Sequence, residues 1–432
     1  MKILSIRFIA AAAAAGFAAS TAFGAGYCLF EGSARGNVDA AHLIAEGGEP
    51  GTIYFNPAAI TALTGTQVQV GMTAVMPTAK VETVNPYTGE RVTTRGKEKT
   101  WPIPSAYVTH QLNDSLWFGL GVFSRFGLGS ELKDTWPGRY NSYKAVIESV
   151  DVAPTLALKV NDKLSVSLGL LVRYFDIELA QKIDVAGAAG LRNPNDPSPS
   201  PYDIDQNLHG DDVNFGVALG VEFKPVEKVS LGAAYHSRFR FVCHGDADWT
   251  KPAAVDAMLP GAFNDTRWRA KNYNPDEFMF GVAWHPAEKW TVSAGAVYTL
   301  WSVYDDLEIE FFSPQLMGRD KVSSDKKWHD VWRPMAGLGY KICENWEVYG
   351  SYTFDQSPLN EDYIDYMVPA DDRHLFGLGT TWDCGAWTFD ATYFYERVAD
   401  MNVKGRPAAG VFDGKFTDGE AHAVALSATR RF

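Results

Sequence analysis

The sequence of 432 residues is short of cysteine, of net positive charge and of long apolar runs. Four cysteines are too few for a disulfide scaffold in a chain of this length. Beyond the N-terminal region, no stretch approaches the roughly 18 apolar residues that suggest a membrane-spanning helix. A formal net charge of -13 argues against nucleic-acid binding. The nine histidines are scattered without ligand spacing, so neither a metal nor another cofactor is expected.

The first 24 residues predict an export signal. A short basic start is followed by a run rich in Ala and Phe, and small residues precede the expected cleavage after Gly24. The alternative is a lipoprotein acylated at Cys28, which the bulky Tyr27 before it disfavours. Residues 1–24 are therefore interpreted as a signal peptide.

Alternation with a period of two is the main pattern that the sequence does contain. The run "QVQVGMTAVM" places Val68, Val70 and Met72 on one face and mostly polar or small residues on the other. The same pattern recurs in "LSVSLGLLVRY", "VSLGAAY", "WTVSAGAVY", "WEVYGSYTF" and "WTFDATYFY". These runs predict strands with one apolar face and one small or polar face.

Very short polar turns alternate with long loops rich in Pro and Gly, and these connections separate fourteen predicted strands. An even number of antiparallel strands with short turns at one end and long loops at the other is typical of an outer-membrane β-barrel. A large soluble β-sandwich or propeller is the competing interpretation, and the polar alternate face disfavours it. The predicted strands span 66–84, 101–112, 116–127, 147–160, 164–182, 211–224, 229–243, 274–285, 290–312, 328–342, 346–356, 371–382, 386–403 and 418–432.

Two features at the strand ends support a membrane barrel. Several strands start with a tryptophan after a short turn, as expected for an aromatic girdle at the membrane–water interface. The last strand ends in Phe432, which resembles the recognition signal of the barrel assembly machinery, although Arg430 stands where an aromatic residue is usual. The tryptophans concerned are Trp117, Trp290, Trp346 and Trp387.

Residues 25–65 precede the first predicted strand and form a separate apolar segment, leaving 66–432 for the barrel. Helical stretches are predicted around 38–46 and 57–63, with Pro57 at the first position of the second one. The segment would either fold into the lumen as a plug or dock outside. A fourteen-stranded barrel is wide enough for a plug, and a polar lumen would bind its irregular backbone.

The order and spacing of many segments resemble the FadL-type outer-membrane transporters, which take up long-chain fatty acids and other hydrophobic compounds. The resemblance covers essentially the whole exported chain. It implies an all-β fold, a 14-stranded antiparallel transmembrane β-barrel with an N-terminal, partly helical hatch in the lumen. The matching segments include "AGYCLFEGSARGN", "FNPAAI", "IPSAYV", "FSRFGLGSEL", "WPGRYN", "NPDEFMFGVAW", "LWSVYDDLEIEF", "WRPMAGLGY", "TFDQSPL" and "DDRHLFGLG".

The resemblance also implies a route for the ligand. External loops would capture it, a tighter site near the start of the hatch would hold it, and a gap at a kink in the third strand would release it sideways. The hatch turn beside this gap would be Asn56, Pro57 and Ala58. The lateral opening would involve Ser124, Gly119, Gly121 and Gly127, since glycines make this strand poor in side chains.

The implied ligand-binding residues are Tyr27 near the mature N-terminus and Leu179, Gln181 and Lys182 on the fifth strand. Lys182 would meet a ligand carboxylate. If Gln181 instead occupies the position of the basic residue, the preference for an acid is weakened, and some relatives carry aromatic hydrocarbons.

The sequence thus predicts a passive transporter of the bacterial outer membrane, expected to be a monomer and not an enzyme. Its expected partners are a hydrophobic ligand, outer-membrane lipid and the barrel assembly machinery. Uptake of aromatic hydrocarbons is the alternative substrate class. A general porin is disfavoured by the apolar hatch, and a barrel enzyme by the lack of a serine motif near the strand histidines. A disulfide between Cys343 and Cys384, both in short turns, is left open.

Overall fold

Fourteen antiparallel wall strands close on themselves in the computed structural model, which describes residues 26–191, 200–313, 320–368 and 371–432. The first strand, β1 (Thr66–Val84), pairs with the last, β21 (Gly414–Arg431), and this pairing closes the barrel. The predicted 14-stranded antiparallel barrel is confirmed. The predicted signal peptide lies outside the described residues.

Between these two strands, most wall strands match the prediction and several consist of two consecutive segments. The segments between β1 and β21 are β2 (Arg91–Arg95), β3 (Trp101–Gln111), β4 (Leu116–Phe123), β5 (Gly127–Glu131), β6 (Lys144–Asn161), β7 (Leu164–Asp184), β8 (Asp203–Val226), β9 (Val229–His236), β10 (Phe239–Thr250), β11 (Thr266–Asn274), β12 (Glu277–Ala287), β13 (Trp290–Thr299), β14 (Asp306–Phe311), β15 (Lys321–Asp325), β16 (Val331–Cys343), β17 (Trp346–Asp355), β18 (Arg373–Asp383), β19 (Trp387–Val398) and β20 (Met401–Val403). The wall strands made of two segments are β4–β5, β9–β10, β11–β12, β13–β14, β15–β16 and β19–β20, and β2 is a short arm on β1.

The seventh and eighth wall strands extend further than predicted. Residues 244–250 and 266–273, expected in a loop, belong to β10 and β11, and 244–247 pair with 266–269. Alternation continues through this extension, where Ala247 and Trp268 are buried between exposed polar neighbours. The segment between the two strands is rich in turn-forming residues, so the sequence pattern predicts a loop over the whole of residues 244–273.

The two faces of the wall differ as the alternation predicts. Leu168 on β7 and Val70 on β1 point outward, with exposed fractions of 59% and 56%. The alternate residues of β1, including Gln69 and Thr73, are buried on the lumen side. Apolar side chains therefore face the membrane and polar ones face the interior.

The tryptophans at the strand starts do not all serve the same purpose. Trp290, Trp346 and Trp387 are exposed, as an interfacial girdle requires. The assignment of Trp117 to the girdle is wrong, because its side chain points into the lumen. Its indole N–H donates a hydrogen bond of 2.7 Å to the carbonyl of Leu63.

The N-terminal segment, residues 26–65, lies inside the barrel and is here called the plug. Helix α1 (Ala34–Ala45) contacts one continuous arc of the wall, which runs from β9 through β12, β13 and β16–β19 to β21 and β1. The short α2 (Thr52–Phe55) and a 3₁₀ helix (Pro57–Ala62) follow it, with Pro57 in the first helical position as predicted. Of the two predicted helical stretches, the first begins earlier because the Ser33 hydroxyl caps it.

The remaining helices are short and lie outside the plug. They are α3 (Val185–Ala188), α4 (Ala253–Met258) and the 3₁₀ helices Pro137–Tyr140, Trp301–Val303 and Pro407–Ala409. Within the described residues, no helix is both long enough and apolar enough to cross a membrane. All four cysteines, including Cys343 and Cys384, are free thiols.

Wall glycines form the seat of helix α1. Gly232, Gly281 and Gly295 lie directly opposite one another on β9, β12 and β13. A Cβ atom at Gly232 would lie 1.7 Å from the carbonyl oxygen of Ile44. At Gly281 it would lie 2.6 Å from the carbonyl oxygen of Ala41. The backbones of plug and wall are therefore in direct contact, which only glycine permits.

We predict that Gly232→Ala displaces α1 from this seat, because the added methyl group would overlap a backbone carbonyl. The plug should then become sensitive to limited proteolysis in detergent, while the barrel keeps its heat-modifiable mobility on a gel. The control is Ala233→Val, which adds more volume on the outward side of the same strand. Equal protease resistance of the Gly232→Ala protein and the unchanged protein would contradict the seat.

Candidate functional site

The third wall strand breaks between β4 and β5. β4 pairs with β3 up to the pair of Ala106 and Val122, and also pairs with β6. β5 resumes at Gly127 and pairs with β6 alone. The upper part of β3, residues 101–105, pairs only with β1. This leaves an interruption of the wall, here called the lateral gap, between residues 101–105 and 123–131.

The start of the plug pairs with the broken strand on the lumen side of the gap. The N–H of Leu29 donates to the carbonyl of Arg125 at 2.7 Å, and the N–H of Gly127 donates to the carbonyl of Tyr27 at 3.0 Å. Residues 27–29 thus take the place that β3 would occupy in a continuous wall. The kink and the plug are bound directly to each other.

Arg125 in the kink points inward and is buried, with 1% of its side chain exposed. Its guanidinium donates to Glu277 on the far wall at 2.6 Å and to the carbonyl of Tyr54 in the plug at 2.8 Å. The guanidinium also lies 4.4 Å from the centre of the Tyr54 ring. One side chain therefore connects the third strand, the plug and the opposite wall.

The four residues predicted for the lateral opening lie at two levels. Ser124 is in the break, and Gly127 begins β5 directly above it. Gly119 and Gly121 lie lower, in the part of β4 that pairs with both neighbours, and do not border the gap. A Cβ at Gly119 would lie 2.8 Å from Ile53 of the plug, so this glycine makes room for the plug.

The Asn56-Pro57-Ala58 turn binds the plug to the sixth wall strand. The Asn56 amide donates to the carbonyls of Ile44 at 2.7 Å and Val221 at 2.9 Å, and its oxygen caps the 3₁₀ helix at Ala58. The turn has no hydrogen bond to the third strand among those that the described residues make. Its connection to β4 runs through neighbouring plug side chains, which pack on Gly119.

Tyr27 is the centre of a buried aromatic cluster beside the kink. The nearest ring, that of Trp301, has its centroid 4.7 Å away. The Tyr27 hydroxyl donates to the Asn272 side-chain oxygen at 3.0 Å. Three further rings surround Tyr27, those of Phe126, Tyr304 and Trp328.

Several buried donors around this cluster have no acceptor among the described residues. They are the indole N–H of Trp301 and the amide NH₂ groups of Asn272 and Asn274. Neither ring nitrogen of the buried His236 has a hydrogen-bond partner there either. Buried donors without acceptors are costly in a folded protein, so a group that accepts hydrogen bonds would be stabilised at this place.

The fifth-strand residues do not gather around Tyr27 as one group. Leu179 is buried in the same apolar core as Tyr27. Gln181 follows on the lumen side and donates to Gln206 at 2.6 Å. Lys182 points outward and forms ion pairs with Asp205 at 3.1 Å and with Asp134. A lysine that points outward does not fit the expected role as the partner of a ligand carboxylate in the lumen. Neighbouring residues of a strand face opposite sides, so an assignment that is shifted by one residue places the side chain on the other face.

Two buried arginines that the sequence interpretation did not select lie at the site instead. Arg125 is described above. Arg173 on β7 donates to Asp151 at 2.9 Å and lies 4.5 Å from the centre of the Phe126 ring. A charged residue at a lumen position inside "LSVSLGLLVRYFDIEL" was the available signal. Both cations are matched by carboxylates, so the site has little net charge of its own.

Below the site, the plug contains a buried carboxyl group at Glu49, of which 6% is exposed. Burial raises the pKa of this carboxyl to about 7, and the nearby Asp390 carboxylate adds to the rise. The Ser33 hydroxyl, the Arg35 guanidinium and the Gln69 amide act in the opposite direction. The plug therefore holds a proton near neutral pH.

Comparison with known proteins gives one family over nearly the whole chain. A family model described as outer membrane protein transport protein (OMPP1/FadL/TodX) matches residues 15–432. The chain is 23% identical over 398 residues to the long-chain fatty acid transport protein of Escherichia coli O6:H1, covering 87% of this chain and 84% of that protein. Together with the barrel, these matches identify an outer-membrane protein.

Solved structures match the fold closely. A FadL homologue from Pseudomonas aeruginosa superimposes with a TM-score of 0.80 at 20% identity, covering 94% of this chain and all of that one. The toluene transporter TodX of P. putida has a TM-score of 0.69 at 18% identity, covering 89% and 94%. The matches therefore include transporters named for two substrate classes.

We predict that Glu49→Gln stabilises the protein at pH 8 and not at pH 5. The raised pKa means that the folded state binds this proton more tightly than the unfolded state does, so the free energy of unfolding falls as the pH rises from about 4.5 to about 7. The amide removes this loss because it does not ionise. Thermal unfolding in detergent at both pH values measures the effect, and an equal shift at pH 5 and pH 8 would contradict it.

Proposed function

Because the chain belongs to the OMPP1/FadL/TodX family of outer membrane transport proteins, we propose that it takes up long-chain fatty acids or similarly hydrophobic molecules and releases them sideways into the membrane. The observation that carries this proposal is the lateral gap, whose lumen side is bound to the start of the plug. A ligand that displaces residues 27–29 would act directly on the edge of the gap.

The aromatic cluster around Tyr27 is proposed as the tight ligand site. Its ring surfaces would bind an apolar chain, since each buried methylene is worth about 0.8 kcal/mol. The unpaired donors of Trp301, Asn272 and Asn274 suit a ligand whose end accepts hydrogen bonds, as a carboxylate or carboxylic acid does. This combination favours a fatty acid.

Aromatic hydrocarbons are the second candidate substrate class, and two observations favour them. The rings around Tyr27 offer edge and face contacts to a small aromatic molecule. Lys182 points away from the lumen, and the nearby arginines are already paired with carboxylates. A ligand without charge would leave these pairs intact.

The proposed gate is the pairing between residues 27–29 and the kink. Two backbone hydrogen bonds hold it, each with a net contribution of about 1 kcal/mol. Such a pairing can open thermally without nucleotide hydrolysis, and ligand binding would bias the equilibrium. Release through the gap would deliver the ligand to lipid, where it is soluble, instead of to the aqueous periplasm.

A space beside the gap supports the lateral route. A pocket of about 50 Å³ lies between β1 and β5 at the upper end of the gap, and its lining includes Pro77, Lys97, Gly129 and Phe416. The hydrogen bond from the Lys97 N–H to the Glu131 carbonyl at 2.9 Å bounds the gap above. The proposed exit is thus limited to a short window in the wall.

Uptake assays test the function and its substrate class. The chain is produced in a bacterial strain that lacks its own carriers of this kind, and entry of labelled oleate and labelled toluene is measured separately. We expect oleate uptake above the empty-vector rate, which supports the fatty-acid proposal. Uptake of toluene alone would replace it with the hydrocarbon alternative, and no uptake of either would contradict both.

We predict that Ser124→Arg abolishes uptake while the barrel stays folded, because a long charged side chain in the break would block the gap. The measurement is oleate entry, with heat-modifiable mobility reporting the fold. Thr250→Arg, which adds the same group to an exposed position of β10, is the matched control and should transport normally. Normal transport by the Ser124→Arg protein would contradict lateral release.

A further inference from the structure

The lateral gap leaves one edge of β3 without a strand partner over residues 101–105. An open edge with free N–H groups is unfavourable beside lipid, because no water is present to bind them. Such an edge also tends to pair with any neighbouring strand, and here the third strand is next to it. Some feature of these two edges must therefore prevent β3 and β5 from pairing.

The hydrogen-bond pattern fixes which groups of β3 face the gap. The N–H of Gln111 donates to Gly65 on the β1 side at 2.9 Å, and the register between β1 and β3 is unbroken up to Trp101. Odd-numbered residues of β3 therefore point their backbone N–H groups toward β1. The N–H of Leu112 donates to Leu116 on the other side, in agreement. Even-numbered residues face the third strand.

Within the unpaired length, the even-numbered residues are Pro102 and Pro104. Proline has no backbone N–H, so both donors that would face the gap are missing. The third strand keeps its hydrogen-bonding groups on the gap side, since the N–H of Gly127 and the carbonyl of Glu131 both form hydrogen bonds there. The defect in pairing is therefore located on β3.

Another wall proline behaves in the same way. Odd-numbered residues of β6 face β4, as the hydrogen bond from Lys159 to Ser115 shows, so Pro154 faces β7. The ladder between β6 and β7 is interrupted there, between the pair of Val152 and Val172 and the next rung at Thr155. A proline in this barrel thus removes the rung that it would have made.

We propose that Pro102 and Pro104 are positioning residues that keep the lateral gap open by removing the two N–H donors with which β3 could pair with the third strand. The inference rests on the proposed lateral release for its role in transport. It also lowers the cost of leaving this edge beside lipid, because neither position carries an N–H group that needs an acceptor.

The test is the double variant Pro102→Ala/Pro104→Ala, which restores both donors without adding bulk. Two new hydrogen bonds should shift the wall toward the closed arrangement on the order of tenfold. Residue-resolved hydrogen–deuterium exchange in detergent then reports the new amides at positions 102 and 104. We expect them to exchange as slowly as the paired amides of Ala106 and Val108, and oleate uptake to fall by a similar factor.

The control is Pro334→Ala on β16. This proline faces β17 next to the pair of Met335 and Thr353, on the tenth wall strand and not beside the gap, so uptake should not change. Fast exchange at positions 102 and 104 would overturn the role of the prolines, whatever the transport rate. Slow exchange with unchanged uptake would instead show that the gap closes without consequence, and would overturn lateral release.

Discussion

Every backbone N–H and C=O group at membrane depth needs a hydrogen-bond partner, and the architecture follows from this requirement. The wall meets it by closing β1 on β21. The plug has too little regular structure to meet it alone, so the polar face of the wall supplies partners. The Tyr107 hydroxyl donates to the Gly32 carbonyl and the Trp117 indole N–H to the Leu63 carbonyl. The Asn56 amide of the plug donates to the Val221 carbonyl of the wall. A barrel with an apolar lumen could not hold this segment.

The same requirement explains the form of the lateral gap. A wall strand leaves its neighbour at a lower cost where another group takes over its hydrogen bonds or where its donors are absent. Both devices are present on opposite edges. On the third strand, residues 27–29 of the plug accept from and donate to the kink. On β3, the donors are missing because the residues are Pro102 and Pro104. In the proposed gate, the pairing with the plug would open and close, whereas the missing donors of Pro102 and Pro104 are permanent.

Much of the fold was predictable from the sequence because the alternation of side chains and the lengths of the turns are local signals. The site was less predictable, since it depends on which face each residue occupies and on partners far along the chain. A shift of one residue separates the lumen-facing Gln181 from the outward-facing Lys182. Trp117 has the sequence position of an interfacial residue, but its hydrogen-bond acceptor is the Leu63 carbonyl of the plug, 54 residues earlier in the chain. Arg125 meets Glu277 at a separation of 152 residues, which no local pattern reveals.

The ion pair between Arg125 and Glu277 shows what the buried charges contribute. Desolvation offsets much of the attraction in a buried pair, so its net effect on stability is small, while loss of one partner is costly. The pair therefore fixes geometry: with the bond to the Tyr54 carbonyl, it holds the kink inward against the plug. A ligand acid near Tyr27 would have to compete with Glu277 for this guanidinium or use the neutral donors at Trp301 and Asn272. The neutral donors require no broken ion pair, so recognition by hydrogen bonds is the less costly arrangement for a carboxylic acid here.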